Sequence, residues 1–249
     1  MVPTEDPTMK ILITMAGRGS RFQDAGVSKP KHEIMVKDKP MFDWAMRSLQ
    51  AFFDEEFIFV TQSEHNASSF LKEACNRLGI MSSQEVTLEE YTSGQAQTAL
   101  KADEFLSPDD GVAIYNIDTY IQEGKLTPED ITGDGFIPTF VAPGERWSFV
   151  RTNDEGHVIK VFEKQKISDV ATAGFYYFDR WSDFIDAYEH SAQRVEHEYG
   201  ETYVAPLYNH LIDEGRTVLP YQLDPDSVHV LGTPNNLQDF DPDFTPEQR

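Results

Sequence analysis

The stretch from Lys10 to Phe42, KILITMAGRGSRFQDAGVSKPKHEIMVKDKPMF, constrains the fold more than any other. A short apolar run from Ile11 to Met15, bounded by turn-formers, predicts a buried strand. It leads into Ala16-Gly17-Arg18-Gly19-Ser20-Arg21. There, two closely spaced glycines let the backbone approach a bulky anion and aim consecutive N–H groups at it. Arg21 adds a planar, permanently charged fork suited to phosphate oxygens. Lys29 and Lys31 flank Pro30 shortly after. Strand, glycine turn and basic cluster together predict a nucleotide phosphate site; the plain alternative is a surface turn with a solvated arginine.

Two other glycine loops drop out. A P-loop ends in Gly-Lys-Ser/Thr, which is absent. A dinucleotide fingerprint wants a third glycine where Phe22 stands, and an acidic residue near Thr61 and Gln62. Composition narrows the partners. With 43 acidic against 21 basic residues and a formal charge of −22, the chain would repel nucleic acid and anionic membranes. Acidic residues scattered over the whole chain predict a solvated shell that stays soluble in high salt, as in a halophilic source. The lone Cys75 excludes an intramolecular disulfide and fits a reducing cytoplasm. No apolar run approaches the ~18 residues that span a bilayer.

Further along, helical spacing predicts a helix over Met41–Phe53, and alternation predicts a strand over Glu56–Thr61. Ser63 is expected to cap a helix ending at Leu78, where Gly79 stops it. Strands at Glu85–Leu88 and Gly111–Asn116 bracket a helix running to Leu106. Alternating strands and helices give an α/β fold, a parallel sheet with helices on both faces. The second half predicts strands at Phe136–Ala142, Trp147–Thr152, His157–Glu163, Val170–Phe178 and Thr217–Leu223. Helices are expected at Trp181–Val195 and Tyr203–Glu214, and Val228–Leu231 precedes a last short helix. A loose tail over 1–8, a single domain over 9–240 and a polar tail over 241–249 complete the expected organisation.

Three separated pieces fall in order: Met15-Ala16-Gly17-Arg18-Gly19-Ser20-Arg21, Pro30-Lys31, and Val36 to Pro40. In this the chain resembles the sugar nucleotidyltransferases, which make nucleotide-activated sugars, and within them the short enzymes of capsule and surface-polysaccharide synthesis. The resemblance implies a Rossmann-like mixed, mostly parallel sheet, the nucleotide-diphospho-sugar transferase fold. It also implies nucleotide contacts from Met15, Ala16, Gly17, Gly19 and Arg21, with Arg21 and Lys31 stabilising the triphosphate. Gly94-Gln95-Ala96-Gln97 is similar to the segment that contacts the base, with Gly94 and Gln97 the carriers. Glu163-Lys164 and Ala173-Gly174 resemble the sugar-phosphate segments, giving Glu163, Lys164 and Gly174 to the acceptor.

Asp118, ending the Gly111–Asn116 strand region, is the metal candidate, because Mg²⁺ takes one or two carboxylates plus phosphate oxygens and water. A strand-end aspartate is otherwise a turn or cap residue. Val230 stands where the family carries a second metal aspartate, so either one carboxylate suffices or Asp224 or Asp226 reaches in. His229 beside it reads as a packed or exposed histidine, since imidazole is a poor Mg²⁺ ligand. The expected activity is transfer of a nucleotide from a nucleoside triphosphate to a sugar 1-phosphate. A CTP-dependent enzyme for a phosphorylated small alcohol or amine is one rival, and a non-catalytic nucleotide- or sugar-binding regulator is another. Base, acceptor and homo-oligomerisation stay open.

Overall fold

A computed structural model describes residues 8–246, so the tail expected over 1–8 falls outside the described residues except for Thr8. In the first half the strands are β1 (Met9–Thr14), β2 (Met35–Val36), β3 (Lys39–Pro40), β4 (Glu56–Gln62), β5 (Ser82–Leu88), β6 (Gly111–Asn116) and β7 (Thr119–Ile121). In the second half they are β8 (Gly135–Val141), β9 (Ser148–Thr152), β10 (Val158–Glu163), β11 (Val170–Thr172), β12 (Phe175–Phe178), β13 (Val218–Gln222) and β14 (Val228–Val230). The helices are α1 (Ser20–Gln23), α2 (Met41–Arg47), α3 (Ser68–Leu78), α4 (Gln95–Leu100), α5 (Trp181–Tyr199), α6 (Tyr208–Asp213) and α7 (Pro234–Phe240).

β1 sits inside a ten-stranded sheet, paired in parallel with β4 on one side and β6 on the other. Its side chains alternate between two cores because successive residues of a strand point to opposite faces. Ile11 and Ile13 pack with Phe42, Met46 and Leu71 under α2 and α3. Leu12 packs with Val112, Ile114 and the α5 residues Phe184 and Ala187. β5 extends the parallel half, while β12, β8, β11, β9 and β10 run on with antiparallel pairing, and β13 joins β8 in parallel. The sheet is mixed, with helices on both faces.

Several elements differ from their sequence expectations for local reasons. The helix from Met41 ends at Arg47 and yields to a 3-10 turn at Gln50–Phe52. Ser48 is buried there, and its Oγ accepts the Ile121 N–H at 2.9 Å, pairing an amide that would otherwise be orphaned. Ser63 opens a separate 3-10 turn, and α3 starts only at Ser68. α4 stops at Leu100. Pro206 in a 3-10 turn postpones the next α-helix to Tyr208.

The single strand expected over Val170–Phe178 is two. β11 pairs Thr172 with Thr139 and β12 pairs Tyr177 with Phe136, so the register slips by two residues around Ala173-Gly174. Gly174 takes φ +79°, open to glycine at little cost, and makes that bulge. Of the polar tail expected over 241–249, residues 247–249 lie outside the described residues, and 241–246 are no free tail. Asp241 accepts the Lys37 N–H at 2.8 Å, and Phe244 is buried with Phe22, Ile34, Leu231 and Leu237.

Two packing details generate tests. A Cβ on Gly94 would lie 2.5 Å from Thr202 N and 2.7 Å from its carbonyl oxygen, both rigid backbone. Gly94→Ala is expected to cost about 1–3 kcal/mol in a urea titration, the ordinary penalty of overpacking. His32 is buried beside Phe70, ring centroids 5.0 Å apart, and its Nε2 has no partner among the described residues. Burial, then neighbouring His65, pulls its pKa down to about 4. The unfolded chain takes up this proton near pH 6.5 and the folded one only near 4, so the contribution is lost as pH falls between them. Wild type is expected to lose about 2–3 kcal/mol more than His32→Gln between pH 7.5 and 4.5 by urea denaturation.

Candidate active site

The C-terminal ends of β1 and β6 open onto one cavity of about 1020 Å³. Open α/β sheets place their ligands at this edge. Thr14 to Gly17, Gly19 and Arg21 form one wall. Gly19 has φ +66° and caps the four-residue α1, receiving the Phe22 N–H at 2.9 Å. Phe22, buried against Val27 and Leu231, pins the loop from behind. Among the described residues none of the amides from Ala16 to Gly19 bonds to a backbone carbonyl, which leaves them available to an anion. Lys31 enters from a short 3-10 turn, whereas Lys29 is exposed and off the lining.

Lys31 Nζ donates to Asp118 Oδ2 at 2.6 Å. Asp118 is positioned by its own carbonyl, which accepts the Leu231 N–H at 2.7 Å, and by the β7–β14 ribbon on either side. A Cβ on Gly232 would stand 3.2 Å from Oδ2, so that glycine leaves the carboxylate room. Asn116 Oδ1 is buried with no partner, and Gly174 brings its backbone so close that a Cβ would stand 2.9 Å from the Asn116 amide. One carboxylate and one orphaned amide oxygen facing a cavity make a hard-oxygen donor set of the kind Mg²⁺ takes. The donors present therefore fit that ion. Val230 lines the cavity without offering a donor. Asp224 and Asp226 stay off the lining, with Asp224 Oδ1 accepting the Asp226 N–H at 3.0 Å in its own turn. His229 stacks on Tyr120 at 5.6 Å and is a packing residue.

The base segment departs from its expectation. Gly94 and Gln97 do not line the cavity. Gln97 Oε1 accepts the Ser93 N–H at 2.6 Å, closing the first turn of α4, and Gly94 is packed against Thr202. Gln95 takes the place expected of Gln97: it lines the cavity, and its amide donates to Thr14 Oγ1 at 3.2 Å. Both glutamines lay in the segment, and helical phase decides between them, since positions two apart on a helix face different ways.

Glu163, Lys164 and Gly174 line the opposite wall, as expected. Glu163 is 5% exposed, and burial raises its pKa, partly offset by the Ser148 hydroxyl that donates to it. Lys164 has φ +52°, a left-handed conformation costing a side-chain-bearing residue about 1–2 kcal/mol. Burial alone would lower its pKa, but its bond to the Tyr203 hydroxyl and the carboxylates at Glu163 and Glu201 raise it on balance. Trp147 packs edge-on to Phe140 at the same wall. Arg146, Glu201 and Tyr203 were not expected here, and nothing in the local sequence pattern singles them out. Arg21, Lys31, Arg146 and Lys164 share the lining with Asp118, Glu145, Glu163 and Glu201, a parity of charge in a chain where acids outnumber bases 43 to 21.

Known proteins share this fold. A nucleoside-diphosphate-sugar pyrophosphorylase from Vibrio cholerae RC9 superposes with a TM-score of 0.85 at 30% identity, covering 92% of this chain and 98% of that one. The inositol-1-phosphate CTP transferase from T. maritima has the same fold, TM-score 0.74 at 13% identity over 93% of this chain and 92% of that one. A UTP–glucose-1-phosphate uridylyltransferase from Haemophilus ducreyi is 36% identical over 59 residues, which are 24% of this chain and 20% of the relative's length. The family model described as nucleotidyl transferase matches residues 10–210, from the first strand into α6. The chain therefore belongs to the nucleotidyl transferase family, and its cavity is that of an enzyme of the sugar nucleotidyltransferase type.

Proposed function

We propose that this protein transfers a nucleoside monophosphate from a nucleoside triphosphate to a sugar 1-phosphate, releasing pyrophosphate, to supply activated sugar for surface polysaccharide or glycan synthesis. The observation that carries the reading is the meeting of two anion-binding walls in one cavity: Arg21, Lys31 and the glycine-loop amides on one side, Lys164 on the other. Two polyanions repel each other, so positioning and charge neutralisation are the main tasks of such a site.

In this reading an acceptor phosphate oxygen attacks the α-phosphorus in line, the α–β bridging P–O bond breaks, and pyrophosphate departs. Arg21 and Lys31 hold the triphosphate and offset charge gathering on the leaving group. Lys164 holds the acceptor phosphate, and Glu163 accepts hydrogen bonds from acceptor hydroxyls. Gln95 stands where a base edge could be read by paired donor and acceptor. Mg²⁺, when bound, would neutralise phosphate charge, and Asp118 and Asn116 are the side chains that would hold it.

A second reading keeps the chemistry and changes the acceptor to a phosphorylated small alcohol or amine, with CTP as donor. Val230 in the second metal-aspartate position, and Ser148 bonded to Glu163 on the acceptor side, loosen the sugar assignment and keep this reading open. The fold shared with the inositol-1-phosphate CTP transferase is compatible with it.

The deciding assay is pyrophosphate release with Mg²⁺ at high salt, arraying the common nucleoside triphosphates against sugar 1-phosphates and phospho-alcohols. Release from one pair names both substrates; silence on every pair, with nucleotide still bound, would refute transfer. Asp118→Asn keeps the side-chain shape and removes its charge, and is expected to lower turnover about 10²–10³-fold with the thermal midpoint little changed. Lys164→Met is expected to raise the acceptor KM about 10- to 100-fold and to leave the triphosphate KM near its original value. Equal effects on both KM values would remove Lys164 from the acceptor wall.

A further inference from the structure

Outside the cavity, among the described residues, Asp186, His190 and His210 form one cluster whose ligand atoms all lie within 4.8 Å of one another. We propose that this cluster is a second metal site, for a borderline divalent transition ion such as Zn²⁺, distinct from the hard-cation donors at Asp118.

The geometry comes from two helices. Asp186 and His190 lie one turn apart on α5 and so share a face. His210 comes from α6 and meets them with Nε2 2.6 Å from Asp186 Oδ2. His190 Nδ1 is 3.2 Å from Asp186 Oδ1. A tetrahedral Zn²⁺ bound at about 2.0–2.1 Å spaces its donors about 3.4 Å apart. The His190–Asp186 pair, at 3.2 Å, is therefore already near that spacing, the hydrogen-bonded His210–Asp186 pair, at 2.6 Å, must open, and the two imidazoles must be re-aimed. Their rings lie parallel at 8°, with centroids 4.8 Å apart, so one ring must turn to aim its lone pair. His190, 61% exposed at its side chain, is free to do so, at the loss of one exposed hydrogen bond to the Asp186 carbonyl, 2.9 Å away.

Ligand chemistry selects the ion. Two imidazoles and one carboxylate suit Zn²⁺, Co²⁺, Ni²⁺ or Cu²⁺, whereas Mg²⁺ prefers oxygen donors and water. An ion here would tie α6 to α5. The chain between these helices carries Glu201 and Tyr203, both on the cavity lining, so the tie would brace the backbone of the acceptor wall.

The test is Zn²⁺ binding to the untagged full chain by equilibrium dialysis, in wild type and in Asp118→Ala, with no nucleotide present. One Zn²⁺ per chain is expected in both, resistant to a large excess of Mg²⁺. His190→Ala and His210→Ala are each expected to weaken it by about tenfold or more. His190 is the safer of the two to change, being exposed, and it keeps the test sound if the His210 variant folds poorly. Co²⁺ in place of Zn²⁺ is expected to give visible d–d absorption that disappears in His190→Ala. No saturable binding in wild type, binding lost with Asp118→Ala, or binding that His190→Ala leaves unchanged would overturn the proposal. None of these outcomes depends on whether the main cavity transfers nucleotides.

Discussion

β1 is hydrogen-bonded along both edges, to β4 over Lys10–Thr14 and to β6 over Met9–Thr14. A strand held on two sides cannot shift register by one residue without turning its buried set, Ile11, Leu12 and Ile13, to the wrong faces. Its C-terminal end is thereby fixed, and so is the start of the glycine loop. The pairing of Thr14 with Asn116 then sets the distance from that loop to Asp118. Lys31 bonds to Asp118 across 87 positions of sequence because both chain segments leave the same edge of the sheet.

Electrostatics adds the second demand. A chain with a formal charge of −22 repels the very substrates a nucleotidyltransferase must admit. The cavity answers by balance: four cations share the lining with four carboxylates, two of which are already engaged by Lys31 and Ser148. A uniformly acidic exterior and a locally balanced interior are compatible because charges more than a Debye length apart are screened, to about 8 Å at physiological ionic strength.

Much of this was legible in the residue order. The glycine loop, Lys31 and Asp118 were recognisable because each follows a strand or turn whose pattern is local, whereas Glu163, Lys164 and Gly174 were reached only through the family resemblance. What escaped depended on contacts distant in sequence. Gln95 and Gln97 are equivalent on paper, and only the packing of Gly94 against Thr202 sets the phase of α4. Val170 to Phe178 reads as one strand, since nothing local shows that Gly174 must bulge towards Asn116. Residues beyond Asp241 read as a polar tail, and the one aromatic among them, Phe244, finds its place only once Phe22 and Leu237 have been brought together.

The contact between Lys31 and Asp118 has a consequence for how the site fills. Each group is the other's counter-ion, so the carboxylate is already partnered and loose salt cations compete with a tethered ammonium for it. A polyphosphate presents Lys31 with a more highly charged anion than a single carboxylate does. In the proposed reaction the lysine would turn to it and free Asp118 for a cation, so that the site would exchange ions on the arrival of the polyanion and not with ionic strength.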